Sequence, residues 1–109
     1  MKGINKVFLF GYLGHDPEMF TSDSGAQFAR LNLATNRYRK LDSGEWDTKT
    51  DWHRVTVWGK KAELIGQRLK KGEPLAIEGH IEHYQTERNG QSVQAVSIVA
   101  EDVHFVAGR

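Results

Sequence analysis

In the stretch "DWHRVTVWGKKAE", residues 51–63, two tryptophans bracket an arginine at the period of a β-strand. Successive strand side chains point to opposite faces, so Trp52, Arg54, Thr56 and Trp58 share one face and His53, Val55 and Val57 the other. With the valines toward a core, both indoles lie outside beside a cation. Soluble proteins seldom leave two tryptophans exposed without a use for them. Flat aromatic surfaces can stack on the π-face that every nucleobase carries, at ~1–3 kcal/mol per base and with little sequence preference. Adjacent cations neutralise phosphates, a contribution that weakens with salt through counterion release.

Further residues fit the same chemistry. Tyr38 sits inside "NRYRK", flanked by Arg37, Arg39 and Lys40. Tyr84 ends a predicted strand before a hairpin that carries Arg88, Lys60 and Lys61 follow Trp58, and Lys71 stands in "LKKG". Several aromatics have plainer readings. Trp58 could simply cover a barrel end, and Trp46 could anchor its own loop. Phe8, Phe10, Phe28 and Phe105 fit a core or subunit interface better than a ligand platform, whereas Phe20 fits either.

Catalysis finds little support. The five histidines, His15, His53, His80, His83 and His104, are scattered, and no H-E-x-x-H or phosphate-cradling G-x-x-x-x-G-K is present. His80 and His83, three apart in a predicted strand, fall on opposite faces. His53, on the valine face, reads as a satisfied core or subunit-contact histidine. No nucleophile, base or paired carboxylate arrangement emerges, so the protein is not expected to be an enzyme and no cofactor or metal is expected.

The composition agrees with a binding protein of one domain. The chain has 109 residues, 39% hydrophobic and 27% charged, enough for a single core. The absence of cysteine excludes disulfides and thiolate metal sites. No apolar run is long enough for a signal peptide or a membrane span, which points to a soluble cytosolic protein. Net charge is +1, so electrostatics must act locally, through "RYRK", Arg54, "GKK" and "LKKG". Residues 73–87 are largely acidic.

Strand periodicity dominates the elements that must position these residues. Strands are expected over 5–14, 28–36, 51–58, 73–84 and 93–106, with turn chemistry in "HDPE" and "TSDSGAQ". Residues 37–49 read as a long loop or loosely paired hairpin, and Asn89–Gly90 as a tight hairpin turn. Inward positions are Ala29, Leu31 and Leu33, then Leu75, Ile77 and Ile81. One helix is expected over 59–72, with Ala62, Ile65 and Leu69 on its buried side and Gly72 at its C-terminal cap. In the first strand Phe8 and Phe10 face one way and Val7, Leu9 and Leu13 the other, consistent with burial on both sides and hence with oligomerisation. Three strands, a helix and two strands is the order of an all-β, five-stranded OB-fold barrel with its helix between strands three and four. A β-sandwich is the structural alternative.

The sequence resembles bacterial single-stranded DNA-binding proteins along essentially all of its length. "NKVFLFGYLGHDPE" is similar to their first strand and turn, "DWHRVTVWGKKAE" to their third strand and helix, and "LKKGEPLAIEGHI" and "AEDVHF" to their last two strands. The resemblance implies an OB-fold homotetramer, with a dimer as the alternative, that coats single-stranded DNA in the cytoplasm, at the nucleoid, during replication, recombination and repair. It implies stacking by Trp52 and Trp58, backbone contacts by Arg54, Lys60 and Lys71, and further stacking positions near Tyr38 and Tyr84. It also implies a flexible Gly/Pro/Gln-rich linker and an acidic tip that recruits other proteins. Residues 1–109 read as the OB-fold unit alone, without such a tip, whether removed or never present, so recruitment of that kind is not expected of them. Two other functions remain open: a primosome-accessory OB protein related to primosomal replication protein B, and an OB-fold RNA binder.

Overall fold

Period-2 alternation of apolar residues produces the strands seen in the computed structural model, which describes residues 2–106. In chain order these are β1 (Val7–Leu13), β2 (Glu18–Thr21), β3 (Gln27–Lys40), β4 (Trp46–Trp58), helix α1 (Lys60–Arg68), β5 (Pro74–Arg88) and β6 (Gln91–Phe105). Ala29, Leu31 and Leu33 of β3, Val55 and Val57 of β4, and Leu75 and Ile77 of β5 are buried together with Leu13 and Ala100. α1 lays Ala62 and Ile65 on this cluster, and Leu69 just beyond it is buried as well.

The sheet runs β1-β5-β6-β4-β3-β2, and a β1–β3 pairing closes five of these strands into a barrel. β4 and β6 pair in parallel at Val55↔Ile98 through Val57↔Ala100. Closure happens where β1 passes from β5 to β3, at Tyr12↔Ala34 and Leu13↔Leu33. Gly11 sits at that switch. A Cβ there would lie 3.0 Å from the Ala34 carbonyl carbon and nearer still to its oxygen, so only a glycine lets the strands meet.

Both long hairpins leave the barrel as arms. β3 and β4 stay paired as far as Lys40↔Trp46, and β5 and β6 as far as Arg88↔Gln91, across a turn with Asn89 and Gly90 at φ 53° and 79°. The radius of gyration, 16.2 Å, exceeds the ~13 Å of a compact domain of this length because of these projections.

Four expectations need correction. Residues 37–49 are a regular paired hairpin whose turn spans Leu41–Glu45, closed by Leu41 N–H donating to the Glu45 carbonyl at 2.8 Å. Cross-strand pairs between Arg37 and Asp51 and between Arg39 and Asp47 accompany the pairing. A sixth strand, β2, lies between the two turn segments and pairs only with β3 among the described residues. The helix stops at Arg68. Leu69 is already extended (φ −117°, ψ 147°), and Gly72 belongs to a separate turn in which the Lys70 N–H donates to Glu73 Oε1. Ile81 is 38% exposed, because β5 has left the barrel by that point. Its backbone is instead held by the Asn5 side chain, which accepts from the Ile81 N–H and donates to the Ile81 carbonyl.

Gly11→Ala should destabilise the fold by about 1–3 kcal/mol through overpacking. Urea unfolding reads this directly. Gly3→Ala, whose added carbon meets nothing within 4 Å, should leave the midpoint unchanged.

Candidate nucleic-acid interface

Val55 and Val57 have no accessible surface, and this fixes their neighbours outward. Trp52 is 59% and Trp58 45% exposed, with Arg54 exposed between them. In register beside them on β3 lie Ala34, Asn32, Arg30 and Phe28. The β5–β6 arm forms a facing wall. Phe28, Arg30, Arg54, Trp58, Tyr84 and Arg88 all line one groove of about 490 Å³. A second hollow, about 440 Å³, is lined by Trp52, His53, Asn32 and again Arg54. Arg54 therefore borders both, with an indole in each direction.

Trp52 is seated by Gly14. A Cβ on residue 14 would overlap the indole, reaching 2.9 Å from its Cη2 and closer to its Cζ3. His53, on the opposite face, shares a 2.8 Å hydrogen bond between its Nε2 and Thr35 Oγ1, as befits a satisfied, part-buried histidine.

Alternation continues into the β3–β4 arm. Tyr38 and Lys40 fall on the face of Trp52 and Trp58, as does Trp46, which pairs with Lys40. Arg37 and Arg39 alternate to the opposite face. There Arg37 binds Asp51 through two hydrogen bonds, Nε to Oδ2 at 2.6 Å and Nη2 to Oδ1 at 3.1 Å. That contact holds the Asp51 carboxyl below its ordinary range and raises the Arg37 guanidinium. Arg39 donates to Asp47 at 3.2 Å.

Residues 4–106 match the single-strand binding protein family. The chain belongs to that family. It is 36% identical to single-stranded DNA-binding protein 1 of Chlorobaculum tepidum over 99% of this chain and 68% of that protein. The Xylella fastidiosa single-stranded DNA-binding protein is 38% identical, over 99% of this chain and 66% of its own length. The chain thus spans about two thirds of these curated relatives. Among solved structures, a deletion mutant of the Thermus aquaticus single-stranded DNA binding protein matches with TM-score 0.84 at 34% identity, covering 98% of this chain and 52% of the other. A Plasmodium falciparum SSB in complex with ssDNA matches with TM-score 0.85 at 29% identity and 98% coverage of both. The closed barrel with one helix between β4 and β5 is the OB-fold of this family.

Within that family framework the expected residues divide into groups. Trp52, Arg54, Trp58, Tyr84 and Arg88 line the two hollows. Tyr38 lies in the β3–β4 arm beside a separate hollow that it shares with Arg37, Arg39, Asp47 and Lys49. Lys60, Lys61 and Lys71 are exposed but line neither central hollow. The Lys71 N–H donates to Asp16 Oδ1 at 2.8 Å, which ties it to the turn beginning at Gly14.

Phe28, expected in a core or interface, instead packs against Trp58 on the outer face, with ring centroids 4.6 Å apart. Arg30 is a further groove residue, beyond those expected from the sequence. The signal was present in "FARLNLATN": once Ala29, Leu31 and Leu33 point inward, Phe28 and Arg30 must point outward.

One acidic side chain of the groove is engaged by a histidine. His80 Nε2 lies 2.7 Å from Glu82 and Nδ1 lies 2.7 Å from Glu101, which also accepts from Lys6. The hydrogen bond to Glu82, then that to Glu101, raises the His80 pKa above 6.5. The favourable contact is fully present below 6.5 and is lost as pH rises through the higher folded-state midpoint. Proton NMR of His80 should show that elevated midpoint, and Glu82→Gln should bring it down. Gly14→Ala should leave a folded chain whose Trp52 emission is shifted by displacement of its indole.

Proposed function

We propose that this chain binds single-stranded DNA without reading its sequence, by stacking bases on aromatic platforms and holding phosphates with flanking cations. The observation that carries the reading is the outward pair Trp52 and Trp58 with Arg54 between them, faced by Tyr84 and Arg88 across a groove open to solvent. Family membership and the likeness to an SSB solved with ssDNA support it. Trp52, Trp58, Tyr38 and Tyr84 supply stacking surfaces. Arg54, Lys40, Lys60, Lys61, Lys71 and Arg88 supply charge along the path. Arg37 and Arg39 contribute only by exchanging Asp51 and Asp47 for phosphate, so they are weaker members of the set. In this reading the chain is a binding protein that protects exposed strands in replication, recombination and repair, in the cytoplasm at the nucleoid. Among the described residues no helix is long and apolar enough to cross a membrane.

One OB unit covers ~4–16 nucleotides, so occlusion of longer strands calls for several copies. The outer side of β1 supports self-association. Phe8, Phe10 and Tyr12 alternate along it at 68%, 52% and 50% exposure, a contiguous apolar stripe that a lone subunit would leave in water. A homotetramer is the assembly we propose, with a dimer as the smaller alternative.

Tryptophan fluorescence during titration with oligo-dT tests the reading, with duplex DNA and oligo-U as controls at two salt concentrations. Strong quenching by oligo-dT, weaker in high salt, is expected. Trp52→Ala should retain the fold and weaken binding by ~1–3 kcal/mol for every base composition. A preference for oligo-U would move the assignment to RNA, and absence of any binding would refute it.

A further inference from the structure

The aromatic face does not end at Trp58. β2 adds to the free side of β3, with Phe20 directly opposite Phe28, and Phe28 in turn directly opposite Trp58. Met19, the preceding residue, points under α1, where a Cβ on Gly66 would come within 3.0 Å of its sulfur. Phe20 is thereby turned to the other face, the one that carries Trp58. The rings form a row across three strands. Phe20 and Phe28 have centroids 5.2 Å apart and planes 20° apart, and Phe28 and Trp58 are at 4.6 Å and 34°. Such separations are those of offset-stacked rings. Phe20, at the end of the row, is 38% exposed.

Arg30 stands over this row. Its guanidinium carbon is 5.0 Å from the Phe20 centroid and 5.7 Å from that of Phe28. Rings position it, and no hydrogen bond or ion pair to another described residue engages its donors, although Glu18 is its cross-strand neighbour. This separates it from Arg37 and Arg39, which carboxylates already hold. A flat π-surface beside a guanidinium with open donors matches a ligand that carries a planar ring and an anion in one unit. Phe28 and Arg30 also line the groove of Arg54 and Trp58, so the two surfaces are continuous.

Resting on the single-stranded DNA reading, we propose that Phe20, Phe28 and Arg30 form an additional nucleotide subsite, which carries the strand past Trp58 and over β2. A base adds to the exposed Phe20 end of the stack, and its phosphate is taken by Arg30.

The test compares the unaltered chain with Phe20→Leu, Arg30→Gln and the double variant, using labelled oligo-dT of graded length and anisotropy as the readout. Phe20→Leu keeps an apolar side chain on an edge strand, and circular dichroism verifies folding. For the unaltered chain, affinity should climb with length to a plateau. The double variant should lose least affinity for the shortest oligomers and progressively more as length grows, reach its plateau about one nucleotide earlier per subunit, and bind long oligomers about fivefold or more weakly. Arg30→Gln alone should lower the slope of log affinity against log salt by about 0.7. Equal weakening at every length would overturn the proposal, because it would mean that Phe20 and Phe28 merely prop Trp58. An unchanged length profile and salt slope would overturn it too. Failure of the unaltered chain to bind any oligomer would overturn the parent reading, and this one with it.

Discussion

The register of β4 is the constraint from which the candidate site follows. Val55 and Val57 are fully buried, and a strand offers two faces, so every even-numbered side chain from Trp46 to Trp58 is committed to the outer side. A slip of one residue would bury two indoles and a guanidinium and expose the valines. The cost of that exchange, an unpaired cation in the core together with lost apolar burial, makes the register unambiguous. The barrel's packing and the arrangement of its platforms are thus one decision taken on one strand.

The same alternation distributes charge. On the arm of β3 and β4, odd positions bring Arg37 and Arg39 beside Asp51 and Asp47, whereas even positions bring Tyr38 and Lys40 together with Trp46. Basic residues adjacent in sequence therefore serve two ends. Two of them hold a hairpin that projects from the barrel, and one stays beside an aromatic face. With a net charge of only +1, positive charge acts locally: on this arm the far-side arginines are offset by aspartates, and Lys40 lies on the aromatic face.

Much of this was legible in the residues themselves. "DWHRVTVW" and "FARLNLATN" encode burial on one side in a pattern that admits no other strand register, and of the inward positions expected along the chain only Ile81 is exposed. That residue keeps the right parity but lies where β5 has outrun the barrel, a property of length that parity does not report. The arm over residues 37–49 was hidden because its stability comes from cross-strand partners, and polar composition reads as loop when partners are unknown. The four-residue β2 is too short to show a period, and without it Phe20 and Phe28 had no visible reason to meet. The helix is legible in its apolar period, but the glycine that suggests its end, Gly72, serves a separate turn.

The order in which the pairings close carries a consequence for how the molecule forms. The β3–β4 and β5–β6 ladders are hairpins joined by short turns, so their chain-closure entropy is small. β1 finds its main partner in β5, on the far side of the helix, and β6 must return in parallel to β4. Non-local contacts of that kind are slow to establish. The two arms that carry Tyr38 and Tyr84 are thus built from local pairings, and the barrel from which they project is built from non-local ones. Closing the groove therefore carries the larger share of the chain-closure entropy, and the hairpins that border it carry the smaller.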